Sequence, residues 1–432
     1  MNTSELIKKI NGGGIDESLM NGLSIPAEKL PEQRERYARA AAAFEAQYGD
    51  GEVSLYSVGG RSEISGNHTD HNHGRVIAAS VNMDILAVVK KTDNGVVRIK
   101  SEGFPEDVVE PAAIEAPDES KFFTSAAIIA GMEKAFLNAG YEIGGFDAYT
   151  TSSVLKGSGI SSSAAFEVMV GNILNYLYND GKVSNVEIAK MAQFSENKYF
   201  GKPCGLMDQT ACAVGGFITI DFADPTAPVI EKMDFDLTGA GYALCIVNTG
   251  GNHADLNEDY ASVPAEMKAV AAALGVSVLR ETTVEALDAA LMKDGAAFRE
   301  KLGDRAIMRA YHFFAENDRV AGQVDALKAG DVAAFLSGVT ASGNSSFKFL
   351  QNVYTTKNVS EQGLSLALYL AERFTCEFGG ACRVHGGGFA GTIQAFVPVA
   401  HTAEFASRMD AVFGAGATHI LSVRKNGACR LA

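Results

Sequence analysis

The segment at residues 155–167, LKGSGISSSAAFE, constrains the fold more than any other stretch of this chain. The alternating run that ends at Val154 predicts a strand before it. Apolar residues at 166–177 recur with helical spacing after it, and Asp180-Gly181 is expected to end that helix. Glycines between a strand and a helix allow close approach of a ligand, and the serines supply amides and hydroxyls at the positive end of the helix. The segment therefore predicts an anion site that suits phosphate.

A tight turn in which one serine caps the helix is the alternative interpretation of this segment. It would be preferred for a pair of glycines alone, because glycine is common in turns of every kind. Ser161, Ser162 and Ser163 exceed what a cap requires, since one hydroxyl suffices. The spacing is neither that of a Walker A loop nor that of GxGxxG. We therefore favour phosphate binding.

Length and charge limit the kinds of protein that this chain can be. With 432 residues it is too long for one compact core, so two domains are expected. Hydrophobic residues make up 47% and charged residues 21%, which is typical of a folded globular protein. The net charge of −15 argues against nucleic acid and against an anionic membrane as partners. An anionic ligand would have to be held by local donors and a cation, because the overall field opposes it.

The cysteines and the amino terminus indicate the cellular location. The six cysteines are scattered, and no two of them form a CxxC pair, which is typical of buried thiols in a reducing compartment. The first residues, MNTSELIKKINGG, contain no apolar signal region. No stretch approaches the roughly 18 apolar residues that a membrane helix needs. A cytoplasmic protein without a membrane segment is therefore expected.

Residues 60–74, GRSEISGNHTDHNHG, are polar and bounded by glycines, as is typical of a loop that carries side chains into a site. His68, His71 and His73, together with Asp70, are adequate ligands for zinc. The spacing fits poorly, because it is neither HExxH nor two ligands one helical turn apart. A solvated polar loop explains these residues equally well, and the segment alone leaves both interpretations open.

The remaining patterns predict individual elements. Strands at residues 76–91 and 96–101 are predicted to pair across the turn Asp93-Asn94-Gly95. Residues 420–430 are predicted to form a hairpin across Asn426-Gly427. Helices are predicted at residues 122–139, 186–200, 257–275 and 304–330.

Several segments, in order along the chain, resemble motifs of the galactokinases, a family within the GHMP small-molecule kinases. Residues 60–74 resemble the signature Gly-Arg-x-Asn-Leu-Ile-Gly-Glu-His-Thr-Asp-Tyr-x-x-Gly, and the serine-rich loop resembles the family's phosphate loop. KPCGLMDQ at residues 202–209 is similar to the family's CG(I/M)MDQ element. RAYHFFAENDR at residues 309–319 follows the pattern RAxHxxxExxR, and RVHGGGFAG at residues 383–391 is similar to the third GHMP motif. Several motifs in the correct order are more specific than any one of them.

The resemblance implies a two-lobed α+β architecture, the GHMP-kinase fold. Its amino-terminal domain, residues 1–230, would be ribosomal-protein-S5-like, and its carboxy-terminal domain, residues 231–432, would be ferredoxin-like. The implied activity is that of an ATP-dependent sugar 1-kinase, which phosphorylates the anomeric hydroxyl of galactose with Mg²⁺ on the nucleotide. The partners would be a small-molecule sugar and a nucleotide. A monomer is expected, although the sequence does not establish the oligomeric state.

The resemblance also assigns roles to individual residues. Asp208 would be the general base beside the anomeric hydroxyl, and Arg61 would neutralise charge on the γ-phosphoryl group. The sugar would be contacted by Asn67, His68, Asp70, Gly205 and Tyr260. The nucleotide would be held by Gly157, Ser158, Gly159, Ile160, Ser161, Ser162 and Ser163, and Mg²⁺ by Ser163 and Glu196. A helix cap at Asp208 and an exposed helical carboxylate at Glu196 are the alternative interpretations.

Departures from the family motifs leave the identity of the sugar and of the nucleotide base open. Asn67 stands where galactokinases have Glu, and His71 stands where they have Tyr, so the C6 end of the sugar site is altered. An amide accepts from a 6-hydroxyl and also donates to a 6-carboxylate, so galacturonate competes with galactose. Kinases for N-acetylgalactosamine or L-arabinose, a sensor without turnover and a metal-dependent hydrolase are further alternatives. Ser125 replaces the tryptophan expected near the adenine, and the chain contains no Trp.

Overall fold

Twelve α-helices and twelve strands lie in the ranges that the structure describes. This structure is a computed structural model, and it describes residues 1–154, 159–202, 204–251 and 256–432. The helices are α1 Thr3–Asn11, α2 Leu30–Tyr48, α3 Ser125–Asn138, α4 Ser162–Tyr178, α5 Asn185–Ser195, α6 Met207–Val214, α7 Asn257–Ala273, α8 Val284–Leu302, α9 Asp304–Ala329, α10 Val332–Ser345, α11 Gly363–Phe378 and α12 Thr402–Phe413. The strands are β1 Ser54–Ser65, β2 Arg75–Lys91, β3 Val97–Ser101, β4 Glu106–Val109, β5 Phe146–Ser152, β6 Phe217–Asp221, β7 Val229–Met233, β8 Tyr242–Asn248, β9 Ala381–Val384, β10 Thr392–Pro398, β11 Thr418–Leu421 and β12 Cys429–Arg430.

The larger sheet has the order β12-β1-β2-β5-β3-β4, and β6 and β7 extend it from β2. Because consecutive side chains of a strand point to opposite faces, each strand contributes to two layers. In β1, Leu55 packs with residues of α1 and α2 such as Phe44, while Tyr56 and Val58 belong to the cluster that contains Ile173 of α4. The sheet is therefore buried between the amino-terminal helices and α3–α6.

The smaller sheet is antiparallel and has the order β11-β8-β10-β9. One face, which includes Cys245 and Val247, packs against α11 and α12 through residues such as Phe374. The other face, which includes Ile246, belongs to the same buried cluster as Val58 of the larger sheet. The two lobes therefore share one continuous core, and α7, α8 and α9 form a further cluster.

The two sheets confirm the expected two-lobed α+β architecture. The division between residues 230 and 231 stays a proposal, because it falls within β7, which pairs with β6 of the larger sheet. The chain also returns to the larger sheet near residue 430, where β12 pairs with β1. The amino-terminal lobe is therefore built from two distant parts of the chain.

The predicted pairing of residues 76–91 with residues 96–101 is wrong. β5 lies between β2 and β3, antiparallel to the first and parallel to the second. A Cβ at Gly145 would lie 2.7 Å from the backbone nitrogen of Val96, so the chain that enters β5 passes directly against the turn. Turn residues show where a chain reverses, but they do not decide which strand becomes the neighbour.

The predicted hairpin at residues 420–430 is also wrong. β11 pairs with β8 and β12 pairs with β1, so the two segments belong to different sheets. Arg424 lies between them, is fully buried and donates to the carbonyl oxygens of Asn426 and Gly427. These bonds to the guanidinium replace the ladder that a hairpin would have formed.

β1 continues beyond Gly60, although the sequence predicts a loop from that residue. A Cβ at Gly59 would lie 2.5 Å from the carbonyl oxygen of Val81, and one at Gly60 would lie 2.6 Å from Cγ2 of Ile160. These glycines therefore serve close packing, and the register with β2 shifts between Gly59 and Arg61. Arg61 consequently lies on a buried strand and not on a loop.

All six cysteines are free thiols, as their scattered pattern predicts. Cys245 shows the effect of its surroundings, because burial raises the pKa of its thiol to about 12 and keeps it protonated. Within the described ranges, no helix combines the length and the apolar character needed to cross a membrane.

Candidate active site

Arg61 and Asp208 form the centre of the site, although 147 positions separate them in the sequence. Arg61 lies on β1, and Asp208 lies in the first turn of α6. Nε of Arg61 lies 2.7 Å from Oδ1 of Asp208, and Nη2 lies 2.8 Å from Oδ2. The hydroxyl of Ser161 also donates to Oδ2. This two-point contact fixes the orientation of both side chains.

The surroundings of Asp208 keep its carboxylate ionised. Burial alone would raise its pKa, but the guanidinium of Arg61 and the hydroxyl of Ser161 hold that pKa below its ordinary value. Oδ2 accepts from both Arg61 and Ser161, whereas Oδ1 accepts from Arg61 alone among the described residues. Each carboxylate oxygen has two lone pairs, so Oδ1 retains the capacity for one further hydrogen bond. The side chain of Asp208 is 33% exposed, so a ligand can reach part of it.

The carbonyls of the serine-rich loop hold Arg61 in place. Nη1 of Arg61 donates to the carbonyl of Gly159, and its backbone amide donates to the carbonyl of Ile160 at 3.1 Å. Backbone and guanidinium are thus both tied to the same loop. The expected phosphate residues Gly157 and Ser158 lie outside the described residues.

Ser161, Ser162 and Ser163 lie at the amino terminus of α4. Ser161 has a φ of 55° and precedes the helix, which begins at Ser162. The side chain of Ser161 makes no capping hydrogen bond and donates to Asp208 instead. The capping interpretation therefore fails for Ser161. The open amides of the first turn and the helix dipole favour an anion at this position.

Residues 386–388, called the glycine turn below, bound the other side of the ion pair. A cavity of about 150 Å³ is lined by Arg61, Gly159 and the glycine turn. Four side chains donate to the three carbonyls of the turn, namely Asn67 to Gly386, His68 and Asn352 to Gly387, and Tyr260 to Gly388. The turn is therefore held by residues that are distant from it in sequence.

Asp70 and Gly205, two of the expected sugar residues, are neighbours in the structure. A Cβ at Gly205 would lie 3.0 Å from Oδ2 of Asp70. Tyr260 of α7 lies elsewhere in the site, because it lines the cavity beside Arg61 and packs its ring on Gly387. Oδ1 of Asp70 accepts from a backbone amide, so Oδ2 is the oxygen directed towards Gly205.

His68 and Asn67 have different surroundings, although they are adjacent in sequence. His68 is partly buried and its Nε2 donates to the carbonyl of Gly387 at 2.9 Å. Burial and the nearby ring of His71 lower the pKa of His68 to about 4, so the imidazole is neutral and its Nδ1 is an acceptor. Asn67 is fully buried, and its side chain bonds to protein groups. The structure therefore does not present Asn67 to the cavity.

The histidines of residues 60–74 do not form a metal site. Among the residues that the structure describes, no group of three or more His, Cys, Asp or Glu side chains is placed to hold a metal ion. The ring centroids of His68 and His71 are 5.8 Å apart. His73 has a φ of 61° at the end of the short helical turn Asp70–Asn72. The metal-dependent hydrolase finds no support in this arrangement.

Glu196 is buried in the π-helical turn Glu196–Phe200 that follows α5, so the interpretation of an exposed carboxylate is wrong. Nε2 of Gln209 donates to its Oε2 at 2.7 Å, and Nζ of Lys202 lies 3.0 Å from its Oε1. The same Nε2 lies 3.1 Å from Oε2 of Glu167 in α4. Gln209 follows Asp208 on α6, so one amide ties the expected metal carboxylate to the helix that carries the expected base.

The RAYHFFAENDR segment holds the sugar loop from the side of α9. Nε2 of His312 donates to the carbonyl of Asn67 at 3.0 Å, and Oε1 of Glu316 accepts from the amide of Gly66 at 3.0 Å. Burial would raise the pKa of Glu316, but His312 and nearby arginines lower it to about 2. The four-residue spacing of His312 and Glu316 places both on one face of the helix. The motif therefore positions backbone atoms of the loop.

Sequence reasoning missed several polar residues around the site. They are buried and carry no role in the motifs as quoted: Glu63, Glu167, Gln209, Asn352 and His385. Four of them lie inside or at the end of the motif segments, so a comparison of each position with the family pattern would have singled them out. Asn352 lies outside every motif, and no spacing signal marks it.

A second cavity of about 590 Å³ lies between β4, the start of α3 and the turn that carries Glu196. Its wall contains Tyr199, three positions after Glu196, and small side chains, namely Ala112, Ala113, Ala116, Ala126, Ala127 and Ala130. Ser125, where the family motif has tryptophan, immediately precedes two of these alanines. The small residues leave room for a planar group in a cavity whose wall includes Tyr199, a residue of the turn that carries Glu196.

Two sequence-family models match the chain. One, described as the GHMP kinases N terminal domain, matches residues 125–216, and the other, described as the galactokinase galactose-binding signature, matches residues 42–91. Over 311 residues the chain is 33% identical to a galactokinase of Streptomyces coelicolor, which covers 71% of this chain and 76% of the relative. Over 365 residues it is 30% identical to a galactokinase of Actinobacillus pleuropneumoniae serotype 5b, which covers 83% of this chain and 89% of the relative.

Solved structures show the same fold. The crystal structure of Lactococcus lactis galactokinase complexed with galactose matches with a TM-score of 0.74 at 25% identity, covering 90% of this chain and 98% of that chain. The mevalonate kinase of Methanococcus jannaschii matches with a TM-score of 0.61 at 13% identity, covering 87% of this chain and 99% of that chain. The second likeness concerns the fold alone.

Proposed function

Because the chain belongs to the galactokinase family of the GHMP kinases, we propose that it transfers the γ-phosphoryl group of ATP to the anomeric hydroxyl of galactose. The observation that carries the proposal is the two-point contact of Arg61 with Asp208 at a cavity between the serine-rich loop and the glycine turn. Phosphoryl transfer requires a positioned acceptor and positive charge near the transferring group, with little covalent work. This pair supplies both requirements.

Asp208 is proposed to receive the proton of the anomeric hydroxyl at Oδ1, the carboxylate oxygen with an unused lone pair. The sugar oxygen then bonds to the γ-phosphorus, and the bond from that phosphorus to the β,γ-bridging oxygen breaks, which releases ADP. A carboxylate with a lowered pKa is a weak base. It suits a loose transition state, in which little bond has formed to the attacking oxygen and a strong base is not needed.

Arg61 is proposed to act on both reactants. Its Nε and Nη2 keep Asp208 ionised, and its Nη1 lies at the serine-rich loop, where the phosphates are expected. Because the guanidinium is held at three atoms, it does not need to reorganise while charge develops on the transferring group. A fixed cation of this kind lowers the barrier more than a mobile one.

The nucleotide is proposed to place its phosphates at the amino terminus of α4 and its base in the alanine-lined cavity. Ser162 and Ser163 begin α4, where free amides and the helix dipole attract phosphate oxygens. The cavity of about 590 Å³ adjoins Tyr199, which shares its short helical turn with Glu196. ATP is the nucleotide that the family implies.

Ser163 and Glu196 are proposed to hold Mg²⁺, and the residues present fit that ion. Hydroxyl and carboxylate oxygens are the ligands that Mg²⁺ prefers. A buried oxygen without a partner, Oε1 of Glu167, lies in the same group of side chains. When bound, the ion would neutralise phosphate charge. Gln209 holds the Glu196 carboxylate in one orientation, and Lys202 balances part of its charge.

Asp70, Gly205 and Tyr260 are proposed to position galactose. Oδ2 of Asp70 is directed towards Gly205, and a short carboxylate that accepts from two adjacent hydroxyls distinguishes an axial from an equatorial one. That geometry would separate galactose from glucose. Tyr260 and His68 bind carbonyls of the glycine turn, so their contribution to the sugar comes from the ring of Tyr260 and from Nδ1 of His68.

The direct test is an assay of ADP release with MgATP and each of galactose, galacturonate, N-acetylgalactosamine, L-arabinose and glucose. We expect turnover with galactose, a product with phosphate on the anomeric carbon by nuclear magnetic resonance, and a kcat/KM for glucose lower by about a hundredfold or more. A higher kcat/KM for another of these sugars would reassign the substrate. Binding of galactose and ATP by calorimetry without ADP release would identify a sensor.

The proposal includes a monomeric protein in the cytoplasm whose partners are the sugar and the nucleotide. The six free thiols support the cytoplasmic location, and the net charge of −15 argues against nucleic acid as a partner. Sedimentation velocity tests the oligomeric state, since a dimer would double the mass of the sedimenting species.

A further inference from the structure

The side chain of Asn67 uses all of its hydrogen-bonding capacity on protein groups. Nδ2 donates to Oε1 of Glu63 and to the carbonyl of Gly386, both at 2.7 Å. Oδ1 accepts from Nδ2 of Asn352 at 2.7 Å and from the hydroxyl of Ser346 at 3.4 Å. An asparagine side chain offers two donors and two acceptor sites, so none remains for a ligand. Asn67 is also fully buried, with no accessible surface through which a sugar hydroxyl could reach it.

Glu63 is the acidic partner of this pair and lies four residues earlier, on β1. It is buried, and its Oε1 lies 3.7 Å from Nη2 of Arg383 on β9. In the galactokinase signature quoted above, Asn stands at the position of Glu63 and Glu stands at the position of Asn67. This chain therefore carries the same two residue types in exchanged positions, and the structure shows them bonded to each other.

The pair reaches the glycine turn through the carbonyl of Gly386. In a trans peptide the carbonyl of one residue and the amide of the next point to opposite sides. Asn67, Asn352 and His68 bind the carbonyl side of the turn, and none of the three lines the cavity that contains Arg61. Fixing the carbonyls of Gly386 and Gly387 therefore points the amides of residues 387 and 388 away from Asn67, His68 and Asn352.

We propose that Asn67 is a positioning residue, which together with Glu63 holds the glycine turn against the Arg61 cavity, and that it does not contact the sugar. The proposal rests on the proposed kinase function, because the cavity is where the transferred group would lie. It changes the expectation for the C6 end of the sugar site. The acidic group that the family signature places at residue 67 lies at residue 63 in this chain, next to Arg383 and away from the cavity.

The first experiment is an exchange of the two residues, measured by thermal unfolding of the full chain. N67E places two carboxylates at a contact of 2.7 Å, and E63N leaves Arg383 without its acidic neighbour, so both single variants should lower the unfolding midpoint. E63N/N67E restores one acid, one amide and one hydrogen bond. We expect this double variant to recover at least about half of the loss in unfolding midpoint that N67E causes, because the effects of residues in direct contact are not additive.

The second experiment separates positioning from sugar contact by steady-state kinetics of N67A. Loss of the bond to Gly386 should lower kcat by about tenfold, because the turn moves relative to Arg61, while KM for galactose stays within about twofold. The ratio of kcat/KM for galactose to kcat/KM for 6-deoxygalactose should stay within about twofold of the wild-type ratio. N175A is the matched control. Asn175 is a buried asparagine that binds the backbone of Val183 at 3.0 and 2.9 Å, so N175A should lower the midpoint and leave kcat unchanged.

Two results would overturn the inference. One is additive loss of stability in the exchange, including an exchange variant that fails to fold. The other is a fall of the galactose preference over 6-deoxygalactose by about fivefold or more in N67A, which would mean that residue 67 contacts the 6-hydroxyl. A wild-type protein without turnover on any sugar refutes the proposed function instead, and the exchange experiment then still decides whether the two residues act as a pair.

Discussion

The guanidinium of Arg61 meets the carboxylate of Asp208 edge to edge, with Nε and Nη2 2.7 and 2.8 Å from Oδ1 and Oδ2. Arg98 and Asp147 repeat this geometry at 2.7 and 2.9 Å on β3 and β5. The two pairs differ in their surroundings, since Asp208 also accepts from Ser161 and its arginine lines a cavity. The contact itself therefore does not define a site, and the second pair is a natural control for the first.

Replacing Asp208 by Asn should lower kcat by about a hundredfold or more, the size expected for a positioned base, while galactose affinity stays largely intact. The amide keeps the shape of the carboxylate but cannot take the proton. Asp147→Asn removes an equally well-formed ion pair and should leave kcat unchanged. The measurement is steady-state ADP release together with galactose binding by calorimetry. Near-native turnover in D208N would reject Asp208 as the base.

Replacing Glu196 by Gln should raise the Mg²⁺ concentration that gives half-maximal activity by about tenfold or more, because a neutral amide binds a hard cation weakly. The readout that does not depend on turnover is Mn²⁺ binding in the presence of ADP, followed by electron paramagnetic resonance. The control is Glu187→Gln, because Glu187 caps the start of α5 and Glu196 follows the end of that helix. This variant should leave Mn²⁺ affinity unchanged. Equal Mn²⁺ affinities in E196Q and E187Q would show that Glu196 does not hold the metal ion.

Replacing Asp70 by Asn should raise KM for galactose by about tenfold and reduce the preference for galactose over glucose, because charge-assisted hydrogen bonds are stronger than neutral ones. Asp93 lies in the turn after β2, and Asp93→Asn is the control for loss of one negative charge. The measurement is kcat/KM for both sugars in both variants. An unchanged galactose to glucose ratio in D70N would show that another residue distinguishes these sugars.

Glu133 should make the protein less stable as the pH rises. It is buried in α3 without a hydrogen-bond partner, and burial raises its pKa from 4.5 to about 8. Below about pH 4.5, Glu133 is protonated in both the folded and the unfolded protein. Between about pH 4.5 and pH 8, it loses its proton in the unfolded protein alone. The free energy of unfolding therefore falls with pH, by roughly 2 kcal/mol between pH 6 and pH 8 from this residue.

Glu133→Met removes that titration and fills the same space with an apolar side chain. The difference between the unfolding midpoints at pH 6 and pH 8 should be smaller in E133M than in the wild type. Glu142→Gln changes an exposed carboxylate nearby and should keep the wild-type difference. If E133M and the wild type respond equally to pH, Glu133 is ionised in the folded protein.

The sequence predicts the contact between site residues more successfully than it predicts the pairing of strands. Arg61 and Asp208 belong to motifs of one family that assign both to the reacting groups, and the structure places them in contact. The turn at residues 93–95 does not reveal the neighbours of β3. The strand that separates β3 from β2 is β5, which follows Gly145, about fifty residues later in the chain. Local signals report reversal of the chain, whereas pairing is decided by distant segments.

The direction of polar side chains was the harder part of the site to predict. Asn67 and Asp70 both lie in one polar loop, and nothing in their spacing distinguishes the one that faces inward. The difference arises from Glu63 and Asn352, which offer Asn67 a complete set of partners inside the protein. Glu196 shows the same limit, since its burial depends on the amide of Gln209 from another helix. Partners that are far apart in sequence decide these orientations.

The pairing of β12 with β1 has a consequence for synthesis of the protein on the ribosome. Ser57 and Cys429, which are 372 positions apart, lie opposite each other, and Leu55 exchanges backbone hydrogen bonds with residues 431 and 432. The strand that carries Arg61 therefore has an unpaired edge from the time it leaves the exit tunnel until residues 429–432 follow, and open edges of this kind attract other chains. We expect nascent chains halted after residue 233, which lack the strand partner of this edge, to depend on chaperones.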